Sequence, residues 1–207
     1  RTRGRNLKPW DPKSYWTYDA SWAQASNTPF RLYKQNQHEG GISTPLIAHW
    51  PMGLKTEAGS ITRQPAHLID FMATFLELGQ AEYPKKVNTR IIDPLEGRSL
   101  MPIFEGKHRK GHETLYFHFG SDRALRQGNW KLVSAKGGKW ELYNLENDRT
   151  ELNDLSEKFP QRVTKMASEW FDIAKNKERL NQKGLGPVKE EVKKISFRRD
   201  TSDQLED

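Results

Sequence analysis

Residues 22–51, WAQASNTPFRLYKQNQHEGGISTPLIAHWP, join a short polar helix to an apolar run through a loop that carries Lys34, His38, Glu39 and the pair Gly40-Gly41. Adjacent glycines let the backbone take φ > 0 and let another group approach closely. The run Pro45-Leu46-Ile47-Ala48, closed by Pro51 and Gly53, predicts a fully buried strand. A basic loop at the end of such a strand is where open α/β sheets place their ligand sites. Lys34 offers a compact positive charge with rotatable donors, which suits an oxyanion.

Around this stretch lie 207 residues, 34% hydrophobic and 29% charged, so a core coexists with much surface or tail. The net charge is +7, and residues 1–13 set Arg1, Arg3, Arg5, Lys8 and Lys13 against Asp11 alone. A basic face suits nucleic acid, anionic lipid or sulfated glycan, or is simply a solvated surface. There is no Cys, which excludes disulfides and thiolate zinc sites and leaves the compartment open. No run reaches membrane-spanning length. The chain starts at Arg1 without Met or leader and reads as an internal piece of something longer.

Upstream of the loop, Asp19 caps an expected helix through residues 22–25 that Asn27-Thr28-Pro29 ends. Trp10, Trp16 and Trp22 are expected to pack against a sheet or a further domain. Downstream, Pro65 opens an expected helix whose Leu68, Phe71, Met72, Phe75 and Leu76 form one buried face, with Gly79 as its stop. Leu95, Leu100, Met101, Ile103 and Phe104 anchor a turn, and the run Lys107-His108-Arg109-Lys110 reads as a solvated linker. From Thr114 the period becomes two. Residues 115–119, 123–126, 131–133 and 140–143 predict four short strands, with turns at Gly128-Asn129 and a tight hairpin at Gly137-Gly138. Trp130 and Leu132 share a face, as do Trp140 and Leu142, and these faces can cover a helix over 160–174 striped by Val163, Met166, Ala167, Trp170 and Ala174. Residues 181–207 read as a charged tail in which Val188, Val192 and Ile195 hint at a short helix.

The spacing of Lys34, four residues, Glu39-Gly40-Gly41, an apolar run and Trp50-Pro51 resembles the sulfatases of the arylsulfatase type. Trp22-Ala23 and Asn27-Thr28-Pro29-Phe30-Arg31 resemble the bacterial branch, whereas Ser43 stands where many members carry Arg. Residues 124–132 and 140–145 resemble the small C-terminal subdomain of that family, and the likeness covers most of residues 10–180.

This resemblance implies an α/β fold: the C-terminal part of an alkaline-phosphatase-like sulfatase, with a small α+β subdomain of a four-stranded antiparallel sheet on one long helix. Residues 1–106 would complete the large α/β domain, 107–180 would form the small subdomain, and 181–207 the tail. The implied reaction is hydrolysis of sulfate monoesters, with a calcium ion and a formylglycine nucleophile supplied by the parent enzyme and neither carried by this chain. Asn27 occupies the nucleophile slot of the only echo of that signature, a coincidence, and no Asp-Asp pair offers a calcium site.

Lys34 matches the family lysine that contacts the sulfate and the leaving oxygen, and is the expected catalytic residue. His38 is expected to line the substrate or to be a stacked loop histidine, and Glu39 to fix the loop by accepting backbone N–H bonds. His49 is expected to be a satisfied core histidine, and no His spacing suits a metal. His118 and Arg123, flanking Gly120, are candidate specificity residues, with a structural role as the competing reading.

The expected partners are a sulfated small molecule or glycan and the N-terminal part of the same enzyme, rather than a membrane or nucleic acid. The family likeness implies a periplasmic or secreted parent. A phosphate or phosphonate monoester hydrolase of the same superfamily stays open, as does a non-catalytic module binding anionic glycans or nucleic acid.

Overall fold

The computed structural model describes residues 11–13 and 20–180. Asp19, Trp10, Trp16 and the tail therefore lie outside the described residues. Two compact units form, one from Arg1–Pro45 with Thr114–Asp207 and one from Leu46–Glu113.

In the first unit, helix α1 (Ala20–Ser26) ends where Asn27-Thr28-Pro29 was expected to stop it, and Trp22 is exposed. Helix α2 (Glu39–Ile42) is a single turn that starts at the Glu-Gly-Gly motif. In the second unit are helix α3 (Asp70–Leu78), the short antiparallel pair β1 (Lys86–Val87) and β2 (Arg90–Ile91), and helix α4 (Met101–Phe104). The first unit resumes with β3 (Thr114–Phe119), β4 (Asp122–Gln127), β5 (Trp130–Ser134), β6 (Glu141–Asn144) and helix α5 (Pro160–Asn176).

Strands β3 to β6 form one antiparallel meander in sequence order. Period-two alternation gives the sheet two different faces. One carries Leu125, Leu132 and Leu142, which pack with Trp140 against Val163, Met166, Ala167, Trp170 and Ala174 of α5. That is the stripe expected from the sequence, and each large side chain so buried contributes about 1.5–3 kcal/mol. The other face holds Ala124, Val133 and Tyr143, with Lys131 and Glu141 at neighbouring register positions.

Five local expectations need correction. The Gly137-Gly138 connection is not a tight hairpin: a 3₁₀ turn over Ala135–Gly137 leads to Trp140, which lies outside the strand but inside the core. The run from Pro45 to Ala48 is neither a strand nor buried. Ile47 is 88% exposed, and among the described residues no strand pairs with the run. An extended segment becomes a strand only when a neighbour takes its N–H and C=O groups. His49 is accordingly exposed, not a core histidine.

Helix α3 starts at Asp70, five residues after Pro65, and buries the opposite face from the one expected. Asp70 and Thr74 are buried, while Leu68 and Phe75 are 75% and 64% exposed. The polar face docks because the Asp70 carboxylate accepts from His67 N–H, Arg98 N–H, Arg109 and His112, while the Thr74 hydroxyl accepts from Leu100 N–H. This network also draws Arg109 out of the expected solvated linker. It is buried against Asp70 (2.9 Å) and donates to the carbonyls of Pro65 and Arg98, because a buried carboxylate requires a cation.

Candidate functional site

Lys34 lies on the loop between α1 and α2, and its side chain is exposed. No hydrogen bond or ion pair engages it among the described residues. The loop itself is tightly built. Leu32, with φ 63°, donates its N–H to Gln24 Oε1 (2.7 Å), and its carbonyl accepts from Asn27 Nδ2 (3.3 Å). Gln35 has φ 84°. Gly40 and Gly41 do not take the left-handed conformation; they are required by close approach. A Cβ on Gly40 would strike the carbonyls of Arg31 and Leu32, and one on Gly41 those of Asn36 and Tyr33.

Both ends of the loop are moored to the sheet face opposite α5. Before Lys34, Arg31 Nη1 donates to Tyr143 Oη (2.9 Å) and to the Glu151 carbonyl (2.8 Å). After it, His38 Nε2 donates to Glu141 Oε2 (3.0 Å), which also accepts from Tyr143 Oη (2.6 Å). Burial would raise the Glu141 carboxyl, but the hydrogen bonds from His38 and Tyr143, with the His38 and Arg31 charges, bring it down to about 2. Burial and the Glu141 carboxylate push the Tyr143 phenol well above its ordinary range.

Glu39 does hold the loop, but by ion pairing and not through backbone N–H groups. Lys131 Nζ lies 2.9 Å from Glu39 Oε1 and 2.8 Å from Glu151 Oε1, and Glu39 N–H donates to Glu151 Oε2 at 2.7 Å. Arg149 approaches the second Glu39 oxygen at 3.5 Å. Burial favours the neutral Glu39 carboxyl; Lys131, then Arg126 and Arg149, overcome it and hold the pKa below the ordinary value.

The remaining candidates sit elsewhere in this unit. His38 is 1% exposed, behind the loop surface. His118 and Arg123 are direct register partners across β3 and β4, so the structure brings them together. Both face α5. The His118 ring lies 5.5 Å from that of Trp170, with Nδ1 on Glu178 and Nε2 on the Gly120 carbonyl. Arg123 is buried, its guanidinium 5.3 Å from the Trp170 ring.

Arg31, Lys131, Glu141, Tyr143 and Glu151 were not anticipated at the site. Part of the signal was available, since Glu141 and Tyr143 alternate with Trp140 and Leu142 and must face away from α5.

Among the described residues no group of three or more His, Cys, Asp or Glu could hold a metal ion. No helix is long and apolar enough to cross a membrane.

Residues 30–177 match the family model for N-sulphoglucosamine sulphohydrolase, C-terminal. An uncharacterized sulfatase of Schizosaccharomyces pombe is 32% identical over 76% of this chain and 29% of its own length. A sulfatase of Formosa agariphila is 28% identical over 67% of this chain and 27% of its own, and mouse steryl-sulfatase 35% identical over 53% and 16%. The chain thus spans less than a third of these relatives. The crystal structure of Ps i-CgsB, also solved with k-i-k-neocarrahexaose, shares the fold at a TM-score of 0.59 and 24% identity, over 86% of this chain and 38% of that one.

Proposed function

The chain belongs to the sulfatase family, whose N-sulphoglucosamine sulphohydrolase C-terminal model its residues 30–177 match, and on that premise we propose that it supplies a cationic wall to a site that hydrolyses sulfate monoesters to alcohol and sulfate. The observation that carries this reading is Lys34: an exposed ammonium, unengaged among the described residues, on a loop held at Arg31, His38 and Glu39. A fixed cation aimed at charge that grows on the bridging oxygen stabilises the transition state more than the ground state. The sulfated group, on a small molecule or a glycan, meets Lys34 from the solvent side. His38, His118 and Arg123 then support the fold behind the site, since their side chains are engaged within the unit.

Members of this family generally use calcium and a formylglycine. The residues described here do not fit calcium. The buried carboxylates of Glu39, Glu151 and Asp70 are already held by Lys131 and Arg109, and no cluster of ligands remains among the described residues. We further expect the 207-residue chain alone not to turn over aryl sulfates, with or without calcium, and, from the family likeness, the parent to be periplasmic or secreted.

The test is Lys34→Ala in the enzyme that carries this chain, assayed on sulfate, phosphate and phosphonate monoesters. Loss of one preorganised donor predicts a fall of about 10²–10³ in kcat on the sulfate ester. A larger kcat/KM on phosphate or phosphonate would move the assignment to that branch of the superfamily. Near-wild-type kcat for the variant would remove Lys34 from the site.

A further inference from the structure

We propose that Glu151 is a positioning residue for Lys34, clamping both ends of its loop at once; this rests on the reading of Lys34 as the contact to the reacting sulfate. Three separate atoms of Glu151 do the holding. Its carbonyl accepts from Arg31 Nη1 (2.8 Å), three residues before Lys34. Its Oε2 accepts from Glu39 N–H (2.7 Å), five residues after it. Its Oε1 faces Lys131 Nζ (2.8 Å), which also binds Glu39 Oε1 and so ties the clamp to β5.

Charge explains why the clamp is stiff. Glu151 and Lys131 are both 0% exposed and Glu39 is buried. Two carboxylates share one ammonium, and Arg126 and the partly exposed Arg149 add further positive charge at Glu39. A buried ion has few tolerable positions, because any shift leaves it unpaired away from water. A buried ion cluster is weak evidence for net stability; what it does secure is geometry.

The backbone points the same way. Glu151 has φ 57°, a conformation that costs an L-residue with a side chain free energy and that neither glycine nor asparagine relieves here. Leu32 (φ 63°) and Gln35 (φ 84°), on either side of Lys34, are in the same region. Strained non-glycine residues thus stand in the loop and in its clamp. Such strain persists only where surrounding contacts over-determine it, as they do at Leu32 and Glu151. The segment from Arg31 to Gly41 also closes on itself, since Gly40 N–H bonds to the Arg31 carbonyl at 2.9 Å. A shift of Glu39 is therefore passed on to Lys34.

Two readouts test this. In the full enzyme, Glu151→Gln keeps the side-chain shape and an acceptor for Glu39 N–H but removes the charge that holds Lys131. Misplacement of a catalytic group by about 1 Å costs on the order of 10²-fold, so kcat should fall by about 10- to 100-fold with a smaller change in KM. Combined with Lys34→Ala, the variant should add no more than about twofold to the Lys34→Ala loss, because residues that act as a unit are non-additive. A merely structural loss would multiply instead. In the 207-residue chain, trypsin should cut after Lys34 several-fold faster in Glu151→Gln, while cutting after Lys175 on α5 stays at the wild-type rate. Should Glu151→Gln fail to fold, Arg31→Met releases the other end of the loop and must show the same non-additivity. Faster cutting together with an inert Lys34→Ala would keep the clamp and sink the sulfate contact. Losses that multiply, or unchanged cutting after Lys34, overturn the clamp itself.

Discussion

His38 and Glu141 meet across 103 positions of sequence, Nε2 to Oε2 at 3.0 Å, where the Lys34 loop docks on the sheet. The folded Glu141 carboxyl, at about 2, is more acidic than the ordinary 4.5. The unfolded chain therefore takes up this proton first. The stabilisation is complete above about pH 4.5 and is lost as the pH falls towards 2. At neutral pH it amounts to at most roughly 3 kcal/mol. Glu141→Gln should be less stable than wild type at pH 6, and in urea unfolding the gap should shrink below pH 4.5 and close only as the pH approaches 2. A gap that is constant with pH would mean that the charge of Glu141 contributes nothing.

The glycine pair gives a second expectation. Gly41→Ala drives a methyl group into the backbone carbonyls of Asn36 and Tyr33, which cannot swing away as a side chain can. Overpacking of this kind costs about 1–3 kcal/mol, and more where only backbone can move. Gly111→Ala meets nothing within 4 Å and should be near neutral. Thermal melts of the two variants should separate clearly. Equal melting temperatures would show that the loop has room to spare.

In the second unit, Asp70→Asn keeps the shape but removes the charge opposite Arg109, leaving a buried guanidinium without its counter-ion. Breaking one side of a buried pair typically costs about 3–5 kcal/mol. Hydrogen exchange of α3 amides should accelerate accordingly. Burial raises the Asp70 carboxyl, while the Arg98 N–H, His112, His67 N–H and Arg109 bonds lower it further than burial raises it. Its stabilisation is thus present above the unfolded pKa and disappears in acid. Protection of α3 that is the same in wild type and Asp70→Asn at pH 6 would contradict this account.

At Lys34 the expectation concerns the leaving group. A lysine that stabilises charge on the bridging oxygen matters most when the departing alcohol is a poor leaving group. The penalty of Lys34→Ala should therefore shrink along a series of increasingly acidic phenol sulfates. Lys34→Arg should recover little, because a planar guanidinium does not replace a compact ammonium. A penalty independent of the leaving group would place Lys34 on the non-bridging oxygens alone.

Much of the sheet-and-helix unit was legible in the sequence because its signals are local. Alternation over residues 114–144 and the stripe from Val163 to Ala174 record which residues face each other within a few turns or strands. The Glu39-Gly40-Gly41 motif likewise marks a close backbone approach within a dozen residues. Tertiary structure decided the rest. Leu46-Ile47 and the stripe of Leu68, Met72 and Phe75 are apolar in sequence, yet exposed among the described residues. An apolar pattern states what can be buried, not which surface buries it. In α3 the choice went to Asp70 and Thr74, whose hydrogen bonds reach 26 to 42 residues away. For the mooring of the Lys34 loop, alternation shows only that Glu141 and Tyr143 face away from α5; what those residues meet left no periodic trace. The mooring depends on Glu39 finding Lys131 92 residues away and Arg31 finding the Glu151 carbonyl 120 residues away, and polar contacts at such separations form only once the fold has brought their partners together.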